Sequence, residues 1–321
     1  VAKDSSGTPL MRQYMEVKTQ YSDAIVLFRM GDFYETFKED AKLTAKILGI
    51  VLTKRSNGAA ADVPLAGFPY HALDNYLHKL VNAGHRVAIC EQVEDPKLAK
   101  GIVKREVIEV VTPGTITAAQ ALDQKANQYL ASLYFGKTNV GFAVLDQSTG
   151  EFFVGECAPH RLTESLRKFS PREVLVGESV VYSTADWYRT LKPFMTKVED
   201  WVYNYDQGYR SLTDHFHVKS LKGFGCESLP DGITAGGTLF HHMIQTLSGT
   251  MDHVSAIHPV LDEGVMGLDG FTVRNLEIFK SLATQGTHGT LIDVLDDTDT
   301  AGGGRLLKQW LNRPITDRKH L

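Results

Sequence analysis

The 321-residue sequence has only three cysteines, Cys90, Cys157 and Cys226, widely separated and with no C-x-x-C pair. That argues against a disulfide framework and against a cysteine-based zinc site, and it suits a reducing compartment. No apolar run approaches the ~20 residues that a membrane helix needs. The opening VAKDSSGTPL lacks the apolar core of a signal peptide. A cytoplasmic protein with no membrane partner is expected. A large excess of one charge is missing too: 34 Lys and Arg against 38 Asp and Glu give a net charge of -4. The chain is therefore not a globally basic nucleic-acid binder, although a local patch can still serve that purpose. The first third is the better place to seek an anionic partner, since residues 1–120 hold 15 Lys and Arg against 14 Asp and Glu. There is no internal repeat and no low-complexity tract. The nearest approach to a phosphate-binding loop, ASLYFGKT, has Ala131 where the first Gly belongs and runs into a strand-like NVGFAVLD rather than a helix.

What is present is an ordinary globular composition, 43% hydrophobic and 22% charged, long enough for two or three domains. TPLMRQYMEVKTQY opens with a Thr-Pro helix start. DAIVLF reads as a buried strand, HRVAICEQV and VIEVVTPGT as two more, and HALDNYLHKLVNAG as a helix ending at Gly84. VPLAGFPY before that helix reads as a turn. This alternation predicts an α/β domain over 1–120. From Tyr129, alternating segments around FGKTN and DQSTG predict a β-meander. Helices and strands follow, as in an RNase-H-like α/β topology over 121–255. Residues 256–321 show helical spacing with few partners, as expected of the start of a helical domain in a longer protein.

The stretch RMGDFYETF, Arg29 to Phe37, carries the sharpest question. Met30, Tyr34, Phe37, Ala41, Ala45 and Leu48 recur at steps of three and four, which predicts one helix face. On that reading Asp32 is the N-cap and Glu35, three residues on, closes a capping box. Phe33 then falls roughly 75° from the centre of the face at about 100° per residue, and Phe37 holds the core position. The ordinary roles are a core aromatic and a capping carboxylate. The alternative is a pair that meets nucleic acid. An aromatic wedge can unstack and kink a duplex from the minor groove, most cheaply where a base is already mispaired. A neighbouring carboxyl can then bond the exposed base edge.

Other candidates are weaker. The pairs Lys54-Arg55 and Lys104-Arg105 border loops after apolar strands and suit either solvent or phosphate contact. His241 and His242 are adjacent on a helix and point in different directions, which disfavours a shared metal. Asp146, Glu151 and Glu173 are scattered candidates for a metal-dependent nuclease in the second block, without a recognisable constellation.

FRMGDFYETF, LTKRSNG, VPLAGFPYHALDNYLHKLVNAGHRVAICEQVEDP and IEVVTPGT together resemble the N-terminal part of the bacterial MutS mismatch-repair family. The likeness continues through TVRNLEIFKSL and TLIDVLDDTDTAGGGRLLKQWLNRPI. It implies a mismatch-recognition domain at 1–120, a connector domain without nuclease activity at 121–255, and the start of the helical core, or lever, at 256–321. It further implies that Phe33 stacks on a mispaired base while Glu35 hydrogen-bonds it. Arg55, and after it Lys54, Lys104 and Arg105, would touch the DNA backbone. The implied partners are mismatched or looped duplex DNA and MutL, docked on the connector. A homodimer is implied for the full-length protein, with these 321 residues monomeric. ATP and Mg²⁺ would belong to an ATPase domain outside these residues, so no cofactor, metal or catalytic residue is expected here.

Overall fold

The computed structural model describes residues 8–57, 60–94, 101–115, 125–246, 251–260 and 264–316. They belong to two compact units, 1–121 with 244–250, and 122–243 with 251–321.

In the first unit α1 (Pro9–Gln20) leads into β1 (Ala24–Met30), β2 (Phe33–Phe37), α2 (Lys38–Leu48), β3 (Thr53–Asn57), β4 (Ala60–Pro69), α3 (Leu73–Asn82), β5 (Arg86–Gln92) and β6 (Arg105–Val111). The six strands form one sheet in the order β3-β4-β2-β1-β5-β6. β1 and β5 run parallel, joined by a crossover, and the remaining pairs are antiparallel. The strands form where the apolar, β-branched runs predict them. α3 ends as read, with Gly84 at φ +86 just past the helix.

The helix expected from Met30 is not there. Gly31, at φ +57, and Asp32 form the two-residue loop of a β-hairpin in which Met30 pairs with Phe33. Residues 33–37 are extended and the helix starts at Lys38. Asp32 therefore caps no helix and Glu35 closes no capping box. The apolar spacing from Met30 to Leu48 merged a strand with a helix. VPLAGFP, expected as a turn, forms most of β4.

The core of this unit explains why β2 wins. Phe37 is fully buried and packs edge-on against Tyr14 of α1 and Phe28 of β1, with ring centroids 4.9 and 6.4 Å away. One buried carboxylate locks α2 to this core. Asp40 accepts from Lys18 Nζ at 2.9 Å, Tyr14 Oη at 3.1 Å and the Val26 amide at 3.1 Å. Burial first, and then the negative Asp40, push the Tyr14 phenol well above its ordinary pKa, so it stays a donor.

The second unit begins with an antiparallel meander, β7 (Tyr129–Phe135), β8 (Val140–Asp146) and β9 (Glu151–Cys157). It continues with α4 (Leu162–Arg167), β10 (Glu173–Gly177), α5 (Asp186–Leu191), β11 (Phe194–Val198), α6 (Tyr205–His215), α7 (Pro230–Thr246, of which 230–243 belong to this unit) and β12 (His258–Pro259). The sheet order is β11-β10-β7-β8-β9-β12, with β10 parallel to β7 and to β11. A meander extended by parallel strands meets the RNase-H-like expectation. α8 (Gly270–Asn275), α9 (Leu291–Leu295) and α10 (Ala301–Asn312) follow. Among their described residues only Ile292 and Gly304 are buried. Two polar clamps hold this tail within its unit. Lys125 Nζ reaches Asp296 Oδ1 at 3.0 Å and the Thr298 carbonyl at 2.9 Å, and Gln309 Nε2 donates to Glu151 at 3.0 Å.

Asp40→Ala strands three donors in or beside the core. It is expected to lower unfolding stability by about 3 kcal/mol in urea titration. A loss below about 0.5 kcal/mol would mean that the network does not hold α2.

Candidate nucleic-acid interface

Successive strand residues point to opposite faces, so Phe33, Glu35 and Phe37 share one face of β2. Along that face the environment grades from core to solvent. Phe37 is buried, Glu35 is half-buried, and Phe33 is 46% exposed. Tyr34 and Thr36 face the other side and are buried there. A large aromatic left this exposed four residues from the buried Phe37 on the same face is not a core residue. It is held in place by Met30 on one side and Pro69 on the other, its register partners on β1 and β4.

Glu35 lies opposite Gly67 on β4. A Cβ at 67 would stand 2.8 Å from the Tyr34 carbonyl oxygen and 3.2 Å from Glu35 Cγ. Glycine there leaves the room in which the Glu35 chain lies. One strand further out, Arg55 pairs with Val63, a core residue of the same face. Its Nη1 donates to Glu35 Oε2 at 3.0 Å. Burial raises the Glu35 pKa above its ordinary 4.5, while the positive Arg55 and, more weakly, Arg105 pull it down without cancelling the effect.

The remaining basic candidates separate. Lys54 precedes Arg55, so alternation places it on the opposite face of the edge strand, exposed. Lys104 is exposed and its Nζ lies 2.5 Å from Glu106 Oε1. Arg105 departs from the expectation of a loop-border cation open to phosphate. It is buried. Its Nε donates to the Arg29 carbonyl at 2.6 Å, its Nη1 donates to Gln13 Oε1 at 3.1 Å and to the Val103 carbonyl at 2.8 Å, and its guanidinium sits 5.1 Å from the Phe28 ring centre. A side chain with these bonds braces the sheet behind Glu35.

Two residues of this region went unnoticed in the sequence. Gly67 signals itself only as a glycine inside an apolar run. Arg29 bridges β1 to β5 through Glu91 at 3.3 Å and lies 3.9 Å from the Tyr70 ring centre. Tyr34 Oη also donates to Glu91. These contacts stiffen the hairpin from the face opposite Phe33.

The carboxylates of the second unit have structural partners. Asp146 is buried and accepts from Ser148 N and Oγ, Asn127 Nδ2 and the Gln128 amide. Glu151 accepts from Asn127 and Tyr129. Glu173 is buried and bonds Thr196 Oγ1 at 2.5 Å. Among the described residues no group of three or more His, Cys, Asp or Glu could hold a metal. The nuclease alternative gains no support from this arrangement. Lys137 and Thr138 of the near phosphate loop lie in the turn between β7 and β8, so they do not fit a nucleotide phosphate, which needs a helix N-terminus after the loop. Among the described residues no helix is long and apolar enough to cross a membrane.

Two mixed α/β sheet units in succession, with short helices after them, mark a modular protein. Family models identify the modules in order: MutS domain I matches residues 8–120, MutS domain II 128–255 and MutS domain III 271–321. The chain belongs to the MutS family. It is 45% identical over 315 residues to the DNA mismatch repair protein MutS of Salinibacter ruber, covering 97% of this chain and 35% of that protein. It is 45% identical to that of Flavobacterium psychrophilum over 98% of this chain and 36% of the relative. It is 43% identical to that of Porphyromonas gingivalis over 99% of this chain and 35% of the relative. The chain thus spans about a third of the length of the curated relatives it matches.

A carboxyl titration of Glu35 by NMR should show its midpoint above 4.5. A raised native pKa means that the folded state holds the proton more tightly than the unfolded one. The Glu35 contribution to stability is therefore fully present below the ordinary value and is lost as pH rises through the native pKa. Arg55→Gln should move the midpoint higher still, because it removes the nearer cation. A midpoint at or below 4.5 would mean that Arg55 and Arg105 outweigh the effect of burial.

Proposed function

We propose that the chain recognises mismatched or looped duplex DNA, with Phe33 as the wedge and Glu35 as the base contact. The observation that carries this reading is the exposed Phe33 at the outer end of a rigid strand, on the face it shares with a half-buried carboxyl, in the unit that matches MutS domain I. Unstacking a base step costs a few kcal/mol, and least where pairing is already broken. A wedge therefore samples for weak steps. Glu35 adds the second criterion. Its charge is unwelcome among phosphates, so only a displaced base edge able to bond the carboxyl compensates it. Arg55 is the cation of this face placed to meet the backbone.

The second block is proposed to connect and to dock MutL, and the longer protein to act as a homodimer in the cytoplasm. Its family membership supports these roles. ATP and Mg²⁺ would act outside these residues. No catalytic residue is assigned to this chain, whose candidate carboxylates Asp146, Glu151 and Glu173 are bonded internally.

Competition binding of the full-length gene product to mismatched duplex and homoduplex tests the reading. Phe33→Ala should weaken mismatched-duplex binding about ten- to a hundredfold, in line with the cost of losing one stacked aromatic. Mismatch binding that survives this substitution unchanged would remove the wedge assignment.

A further inference from the structure

We propose that Arg55 is a specificity-determining residue: it holds Glu35 in an ion pair until a displaced base edge offers Glu35 another partner, and only then does Arg55 move to a DNA phosphate. The proposal rests on the reading of this face as a duplex-binding surface. It adds a coupling between the backbone contact and the base contact.

The geometry sets the two partners apart. The Arg55 side chain is 38% exposed and Glu35 17%. Arg55 stands on β3, the edge strand of the sheet among the described residues. A long arginine side chain there can swing outward without disturbing the core. Glu35 has no such freedom. It sits in the slot above Gly67, flanked by the strand carrying Phe28 on one side and β4 on the other. Arg105, the second cation near it, is committed to the Arg29 and Val103 carbonyls and Gln13, and cannot take over as a direct partner. When Arg55 leaves, the half-buried carboxylate therefore stands nearly alone beside a polyanion, a costly arrangement unless something bonds it.

The consequence is an exchange with a condition. On a correctly paired duplex the base edges stay stacked and offer Glu35 nothing. Breaking the pair is then unfavourable, and Arg55 makes no phosphate contact. On a mismatched duplex the wedged base supplies the missing hydrogen bond and Arg55 is released to the backbone. One residue thereby converts a local base contact into added electrostatic affinity. An arginine that touched phosphate independently would strengthen binding to every duplex alike.

A double-mutant cycle decides this, with Glu35→Gln, Arg55→Gln and the double variant made in the full-length gene product and folding checked by circular dichroism. The readout is homoduplex affinity across a salt series, where each phosphate contact steepens the log–log slope by about 0.9. Glu35→Gln should free Arg55, tighten homoduplex binding about two- to fivefold, as expected of a partly exposed ion pair, and steepen the slope by about one contact. In the Arg55→Gln background the same change relieves only the repulsion between Glu35 and the phosphates, so it should tighten binding without adding the contact that steepens the slope. Arg55→Gln alone should leave the homoduplex slope as in the wild type and flatten the mismatched-duplex slope by about one contact. The proposal is overturned if Glu35→Gln changes the slope equally in both backgrounds, which is plain relief of repulsion. It is also overturned if Arg55→Gln flattens the homoduplex slope, which is a permanent phosphate contact. A wild type that binds duplex with no mismatch preference would instead defeat the proposed function, while the homoduplex cycle would still score the exchange. Absence of any duplex binding would overturn both.

Discussion

Phe37 is fixed in the core by Tyr14 and Phe28, and the character of the candidate interface follows from that one packing constraint. A strand has a period of two, so anchoring Phe37 inward forces Glu35 and Phe33 onto the same face. The strand then runs out from under the helix-covered core. Its next residue on that face is half-buried and the last is in solvent. A one-residue slip would bury Phe33 and Glu35 with the Tyr34 side and expose Tyr34 and Thr36 instead. The Asp40 network, which ties α1, β1 and α2 together just beyond Phe37, opposes such a slip.

Electrostatics build on that frame. Glu35 is held where its charge is neither fully solvated nor deeply buried. Burial pushes its pKa up, and Arg55 and Arg105 push it down. A carboxyl in this balance changes its preferred partner when a single cation leaves. Arg105 braces from behind and Arg55 contacts from the edge. The two arginines therefore do different work although they carry the same charge.

Much of the fold was legible in the sequence because its strands are long apolar, β-branched runs separated by polar breaks. β1, β5, β6 and the meander of the second unit all follow that pattern. The hairpin at Gly31-Asp32 was misread for a physical reason. Met30, Tyr34 and Phe37 fit a helical spacing by coincidence, since Tyr34 and Phe37 are buried on opposite faces of one strand. The Gly-Asp pair between two apolar segments was the available signal for a two-residue turn. The misreading assigned Glu35 a capping role it does not have, yet it set Phe33 away from the centre of the apolar face, where Phe37 stands. Arg105 was out of reach, because a Lys-Arg pair next to a strand does not reveal which member turns inward. The Glu35–Arg55 pair joins residues twenty positions apart on non-adjacent strands, and no local pattern encodes it.

On the proposed reading, Phe33 enters the base stack beside a mispair. A 2-aminopurine placed next to the mismatch reports that event directly through its fluorescence, which responds to loss of base stacking. Fluorescence should change when the full-length gene product binds a mismatched duplex, but not on the matched homoduplex and not with Phe33→Ala at saturating protein. The same change with Phe33→Ala, or an equal change on homoduplex, would contradict that reading.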